Sequence, residues 1–318
     1  MLSGLISATP WLTALGCLFT FVLTAVLLGG LKDKLPRDQG RKFAVEGALS
    51  QGKARGAGVV FVPVFIVMSL LLCKVTVENA LYLFFILLSM LSGYLDDASE
   101  KPWNEYKKGA IDLLISGGIT AVYIIYNGTT VRLALLPFAF TLPVWAFALI
   151  SVALIWCSIN VTNCTDGVDG LSTSVVITTV LSFVLLLNKR GIREDAALSA
   201  VLFVICLLAY LLFNATPSIM LMGDAGSRAM GTFIAILALI SRDPFIFLLF
   251  GIVLILDGGL GLLKLFLLRF LKIRILANTR TPLHDHVRKV LNWSNTQTVF
   301  RFTILQIIIS LTVLWPSH

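Results

Sequence analysis

Along the chain, long apolar runs alternate with short polar stretches that gather most of the charge. Crossing the hydrocarbon core takes about 20 apolar residues, and ten runs approach that length: 11–31, 57–73, 79–95, 110–126, 133–159, 171–188, 196–213, 229–241, 245–268 and 299–316. The pattern predicts an all-α integral membrane protein of about ten transmembrane helices. The fifth run holds Pro137 and Pro143, which remove backbone donors, so it is expected to kink or divide. The eighth is short enough to need tilt or close neighbours. No basic segment precedes the first run and no clear small-residue cleavage site follows it, so it reads as a retained span.

Composition agrees with this reading. Of 318 residues, 58% are hydrophobic and 13% charged, with a mean hydropathy of +0.93, whereas a globular domain is about a quarter charged. Soluble, disordered, collagen-like and disulfide-scaffold classes are excluded. The five cysteines are odd in number, lack CxxC spacing and fall mostly in apolar runs, so they read as small buried hydrophobes. The net charge of +8 does not point to nucleic acid, because the basic residues flank the spans, where they orient a polytopic chain and attract anionic groups. The loops 32–56, 96–109, 160–170, 214–228 and 269–298 hold 17 of the 25 Lys and Arg residues, against six in the opposite set. That asymmetry places the first set in the cytoplasm and both termini outside it. With no internal repeat or separate soluble segment, residues 1–318 read as one polytopic domain.

Four polar clusters fall on that cytoplasmic side. The first is Asp96-Asp97, followed by Lys101, Lys107 and Lys108. Adjacent carboxylates at a membrane boundary repel unless a cation compensates, which suits a divalent metal with phosphate or a proton-transfer role. The second runs from Asn160 through Asn163, Asp166 and Asp169 to Gly170 without a basic residue. Its amides and glycine-freed N–H groups suit a ribose, diphosphate or sugar. The third joins Asn214 to Met222-Gly223-Asp224-Ala225-Gly226-Ser227-Arg228, where Asp224 can approach a metal while nearby N–H groups or Arg228 face phosphate. The fourth, Arg280-Thr-Pro-Leu-His284-Asp285-His286-Val-Arg288-Lys289, sets imidazoles beside cations. It suits an anionic substrate better than zinc, for which further ligands at the usual spacing are missing. Asp257 stands inside the ninth run with Lys264 seven residues on, open to a structural ion pair or a site role. A solvated helix end or a capped loop would explain any one cluster. Their gathering on one side favours one site built from several loops.

In this order, the clusters resemble the polyprenyl-phosphate N-acetylhexosamine-1-phosphate transferase superfamily and, within it, the phospho-N-acetylmuramoyl-pentapeptide transferase family. The likeness rests on Asp96-Asp97 after the third span, Asn163-x-x-Asp166-x-x-Asp169-Gly-Leu, the Asn214 to Asp224 spacing, Met-Gly-Asp-x-Gly-Ser and Thr-Pro-Leu-His284, and it covers nearly the whole chain. It implies transfer of phospho-MurNAc-pentapeptide from UDP-MurNAc-pentapeptide to undecaprenyl phosphate at the cytoplasmic face of a bacterial inner membrane. The product would be lipid I, with release of UMP, in peptidoglycan biosynthesis. The cofactor implied is Mg2+, and a homodimer is expected from the family alone. By motif, Asp224 is the main metal ligand with Asp96 and Asp97 beside it, and Asp96 deprotonates or orients the lipid phosphate. Lys101, Lys108 and His284 meet phosphates, while Asn160, Asn163, Asp166, Asp169, Asn214, Gly223, Ser227, Asp257 and His286 line the substrate side. The chain departs from the family pattern in places. A glycine-rich segment usually written Thr-Pro-Thr-Met-Gly-Gly is here Lys53-Ala-Arg55-Gly-Ala-Gly58, and the middle of the histidine triplet is Asp285. The alternative within the superfamily is a GlcNAc-1-phosphate transferase for teichoic acid or surface polysaccharide. A transporter would instead set charges near the midplane or on both faces.

Overall fold

The computed structural model describes residues 10–40, 50–99, 103–192 and 194–316. These residues form a helical bundle with four very short strands. In order, it comprises α1 (Pro10–Leu31), β1 (Ala54–Arg55), α2 (Gly58–Leu72), α3 (Val77–Asp97), α4 (Glu105–Asn127), β2 (Thr130–Arg132), β3 (Ala139–Thr141), α5 (Val144–Thr165), α6 (Leu171–Lys189), α7 (Glu194–Asn214), β4 (Met220–Leu221) and α8 (Gly223–Ile240). A broken helix, α9 (Pro244–Phe250) and α10 (Ile252–Leu271), is followed by α11 (Leu283–Lys289) and α12 (Asn295–Leu314).

Among the described residues, eight helices are long and apolar enough to cross a membrane, or nine if the broken pair is one span. The second apolar run, 57–73, forms α2, whose 15 residues reach only about 22 Å, less than a full hydrocarbon core. Two expected boundaries are corrected. The fifth run divides at its prolines: residues 130–141 form a hairpin with Thr130 opposite Thr141, and α5 begins after Pro143 and continues to Thr165. Asn160 and Asn163 are therefore helical and not loop residues. The eighth helix starts at Gly223, earlier than hydropathy alone marks, because the polar Gly-Asp-Ala-Gly-Ser-Arg segment is its first two turns.

Helix α8 is the hub, with every residue buried. Small residues make this possible: a Cβ on Gly231 would collide with the backbone of α5, and Ser158 Oγ donates to the Gly231 carbonyl at 2.7 Å. Close approach of small residues and interhelical hydrogen bonds are how helices associate where lipid is as apolar as leucine. Thr232 on the same helix donates to Ser89 Oγ at 2.8 Å, and Phe65, Phe203 and Phe233 pack ring against ring at 4.5–5.1 Å. The outward faces of α1 and α12 expose Leu15, Leu18, Val26, Ile304, Ile308 and Leu311, as lipid contact requires.

At Gly251 the ninth segment bends by 71°. A break at membrane depth strands backbone groups that lipid cannot satisfy. Gln306 of α12 meets that need, its Oε1 accepting from Val253 N and its Nε2 donating to Leu249 O, both at 3.1 Å.

Candidate active site

The four clusters converge. Strand β1 pairs in parallel with β4, Ala54 opposite Met220 and Arg55 opposite Leu221, which ties the segment before α2 to the start of α8. Helix α3 crosses the same point through Gly93, where any Cβ would run into the Asp224 and Ala225 backbone. Gly223 has φ +69°, and a side chain there would collide with the Asp97 carboxylate. Three backbones thus meet at van der Waals distance, and their close packing fixes Arg55, Asp97 and Asp224 relative to one another.

The charges at this crossing form one chain of ion pairs. Arg55 Nη1 lies 3.1 Å from Asp38 Oδ1, and its Nη2 lies 2.7 Å from Asp97 Oδ1 and 3.8 Å from Asp224 Oδ1. Lys108 Nζ stands between Asp224, at 3.3 Å, and Asp96, with which it makes a close pair. Asp96 also accepts from Trp103 N at 2.7 Å, and Asp97 Oδ2 from Ala225 N at 3.4 Å. Four carboxylates against two cations leave a net charge of −2. Burial alone would lower the pKa of the Arg55 guanidinium, but Asp97, Asp224 and Asp38 outweigh it and raise that pKa above its ordinary value, so the group is a permanent charge.

Beside this crossing opens a polar cavity of about 530 Å³, lined among others by Asp38, Lys53, Arg55, Asp166, Asp169, Asn214, Gly223, Ser218, His284, Asp285 and Arg288. Asp169 accepts from Ser218 N at 3.0 Å and pairs with Lys53 Nζ at 3.5 Å, while Asp166 accepts from Ser172 Oγ at 2.7 Å. Asn214 borders the cavity but spends its amide on the backbone, accepting from Gly170 N and donating to Met220 O, both at 2.9 Å. His284 is fixed by Asp257, which accepts from its backbone N at 2.7 Å and stands 2.8 Å from Nδ1. With Nδ1 committed to a carboxylate, Nε2 is the nitrogen that remains to face the cavity. The ring edge rests on Gly167, where a Cβ would strike Nε2.

Other expected residues lie differently. Asn160 donates to Asp112 at 3.2 Å, and Arg228 pairs closely with the same carboxylate, so both face a sealed pair inside the bundle and not a phosphate. Asn163, in contrast, stays at the crossing: it donates to Ser227 Oγ at 2.8 Å and its side chain also hydrogen-bonds the Asp224 carboxylate. His286 accepts a 3.3 Å bond from Arg280 N away from the cavity lining. Lys264 donates to the Leu276 and Thr279 carbonyls and leaves Asp257 to His284. Lys101 lies outside the described residues. Arg288, one of the cations of the fourth cluster, does line the cavity, whereas Asp38, Lys53, Arg55 and Ser218 were not expected there from the sequence. The one available signal was a Lys and an Arg within a glycine-rich stretch.

Among the described residues, no cluster of three His, Cys, Asp or Glu side chains is arranged to hold a metal by itself. Magnesium, however, is commonly held by one or two carboxylates plus substrate phosphates and water. Asp97 and Asp224 offer hard oxygens next to the cavity, and Asp97 Oδ1 is buried without an aligned hydrogen bond despite its ion pair. With the net negative charge, that donor set fits a hard divalent cation completed by phosphate.

Glycosyl transferase family 4 matches residues 79–242. A Treponema pallidum protein named phospho-N-acetylmuramoyl-pentapeptide-transferase is 42% identical over 299 residues, covering 88% of this chain and 82% of its own. Proteins of the same name from Clostridium perfringens and Thermotoga neapolitana are 30% and 26% identical, over 85% and 86% of this chain and 85% and 89% of theirs.

Proposed function

The chain belongs to the phospho-N-acetylmuramoyl-pentapeptide-transferase family, and we propose that it transfers phospho-MurNAc-pentapeptide from UDP-MurNAc-pentapeptide to undecaprenyl phosphate, releasing UMP in peptidoglycan synthesis. It is a multi-pass protein of the bacterial inner membrane. The observation that carries the reading is the joining of the Asp96-Asp97 and Asp224 carboxylates, Lys108 and Arg55 at one backbone crossing beside a polar cavity. The excess of Lys and Arg in alternate loops supports a cytoplasmic site with both termini outside.

In this reading Asp97 and Asp224 would hold magnesium, which when bound neutralises charge on the donor diphosphate. Asp96 receives the proton of a monoanionic lipid phosphate, and Lys108, in contact with both Asp96 and Asp224, holds that phosphate against the donor. The departing UMP is a phosphate whose second pKa is about 6, so no strong general acid is needed to release it. His284 presents Nε2 to the diphosphate, in an orientation set by Asp257. Asp166, Asp169 and the Ser218 segment form the wall for the nucleotide-sugar. Because the acceptor carries a long hydrocarbon tail, a site at the bundle end lets the tail remain in lipid while its phosphate reaches Asp96.

The test is UMP release by the purified protein in detergent with undecaprenyl phosphate and magnesium, comparing UDP-MurNAc-pentapeptide with UDP-N-acetylglucosamine. Turnover of the muramyl donor alone is expected. Turnover of only the smaller donor would move the chain to the sister activity, and release that persists in EDTA would remove the metal from the scheme.

A further inference from the structure

Arg55 has no part in the roles above, yet it occupies the centre of the acidic crossing. Its guanidinium touches three carboxylates that belong to three different segments, through Asp38, Asp97 and Asp224. Asp38 and Asp97 are almost completely enclosed, with side chains 3% and 2% exposed, whereas Arg55 is 24% exposed and lines the cavity. The arginine is therefore the movable member of a fixed set.

Its bonds are unequal. The Asp38 contact is a hydrogen bond at 3.1 Å. The Asp97 contact is close in distance but unaligned, since Asp97 Oδ1 accepts no hydrogen bond. A guanidinium offers five donors in a rigid fork that matches phosphate oxygens two at a time. A diphosphate in the cavity would thus compete well for Nη2, while Nη1 keeps its hold on Asp38. A divalent cation cannot share Asp97 and Asp224 with a guanidinium at this distance without strong like-charge repulsion.

We propose that Arg55 is a tethered counter-ion that makes metal binding at Asp97 and Asp224 depend on the donor diphosphate. Before the diphosphate binds, Arg55 neutralises the two carboxylates and holds metal affinity down. When it binds, Arg55 transfers to the phosphate oxygens and frees the carboxylates. Coupling of this kind is reciprocal, so diphosphate affinity gains from metal by the same factor that metal affinity gains from diphosphate. The inference rests on the metal reading proposed above and adds to it a residue that this chain places there.

The experiment measures Mn2+ binding by electron paramagnetic resonance on the full-length protein in detergent, with and without UDP. Wild type is expected to bind Mn2+ weakly alone and more tightly with UDP. Arg55→Gln is expected to bind Mn2+ alone on the order of tenfold more tightly than wild type, with a smaller gain on adding UDP. Arg55→Lys keeps the charge but cannot span Asp38 and Asp97 together, so it falls between the two and serves also if the glutamine variant does not fold. If both variants bind Mn2+ as wild type does, with the same gain from UDP, the inference is overturned while the metal reading stands. If wild type binds no Mn2+ even with UDP, the metal reading falls and this inference with it.

Discussion

Two acid–base groups sit one turn apart on α8 and come to opposite ends. Asp224 belongs to the ion-pair chain of Asp38, Asp96, Asp97, Arg55 and Lys108, which reaches the cavity through Asp38 and Arg55, and its side chain is 12% exposed. Four residues on, Arg228 turns inward to Asp112, in a pair 5% and 1% exposed, with Asn160 completing it. The first group is over-supplied with carboxylates and keeps a net −2, so it has capacity for an incoming charge. The second is a closed one-to-one pair, and a buried pair of that kind serves the bundle because removing one partner strands the other. Membership of a charge network that opens on the cavity, and not the presence of charge in a membrane helix, separates chemistry from architecture here.

Substitutions should therefore split along that line. The largest effect is expected from Asp224→Ala, which removes a carboxylate beside the cavity: UMP release should fall by about 10³-fold or more, with the thermal melting midpoint little changed because Arg55 keeps Asp38 and Asp97 as partners and Lys108 keeps Asp96. A comparable fall in melting would break the comparison. Next is Asp112→Ala, which leaves the Arg228 charge buried alone and should cost about 3–5 kcal/mol of stability. The double change Asp112→Leu with Arg228→Leu should cost much less than the two single changes together, as read from melting in a double-mutant cycle.

The extent to which the sequence disclosed these two groups follows from what each depends on. Apolar runs revealed the helices, because hydropathy is a local quantity, and misplaced α5 and α8 where prolines or a polar first turn set the boundary. Asp96, Asp97, Asp224 and His284 were visible as polar clusters on one side. Arg55 was not, since its role depends on the parallel β1–β4 register, which brings together residues some 165 positions apart. Asn160 and Arg228 were assigned to substrate or phosphate because Asp112, a single acid at the start of an apolar run, declares its partner only once α4, α5 and α8 are packed.

Asp257 tests whether the division admits a middle case. Its side chain is 1% exposed, as sealed as Asp112, yet its partner His284 lines the cavity. Asp257→Asn keeps the volume and removes the charge that fixes the Nδ1 proton. Losing such an outer partner typically costs 10–100-fold, and a fall of about that size in kcat is expected, with a change in the pH–rate profile and little movement in melting. A change in melting without one in the profile would return Asp257 to the architectural class.

The smallest expected effect belongs to Gln306, which is polar, buried and remote from every charge discussed. It replaces the backbone partners lost where α9 and α10 bend at Gly251, and α10 carries Asp257. Gln306→Leu preserves apolar packing but strands Val253 N and Leu249 O, and an unsatisfied buried group costs about 1–3 kcal/mol. Part of that cost is recoverable if the bend straightens and the two groups return to helical partners. The two cases are distinguishable: a rigid bend loses stability and retains turnover, whereas a straightened one retains stability and loses turnover, because Asp257 and His284 would be carried away from Gly167. Stability loss with retained activity is expected, since His284 is also held by its own backbone bond to Asp257 and by the cavity wall it packs on.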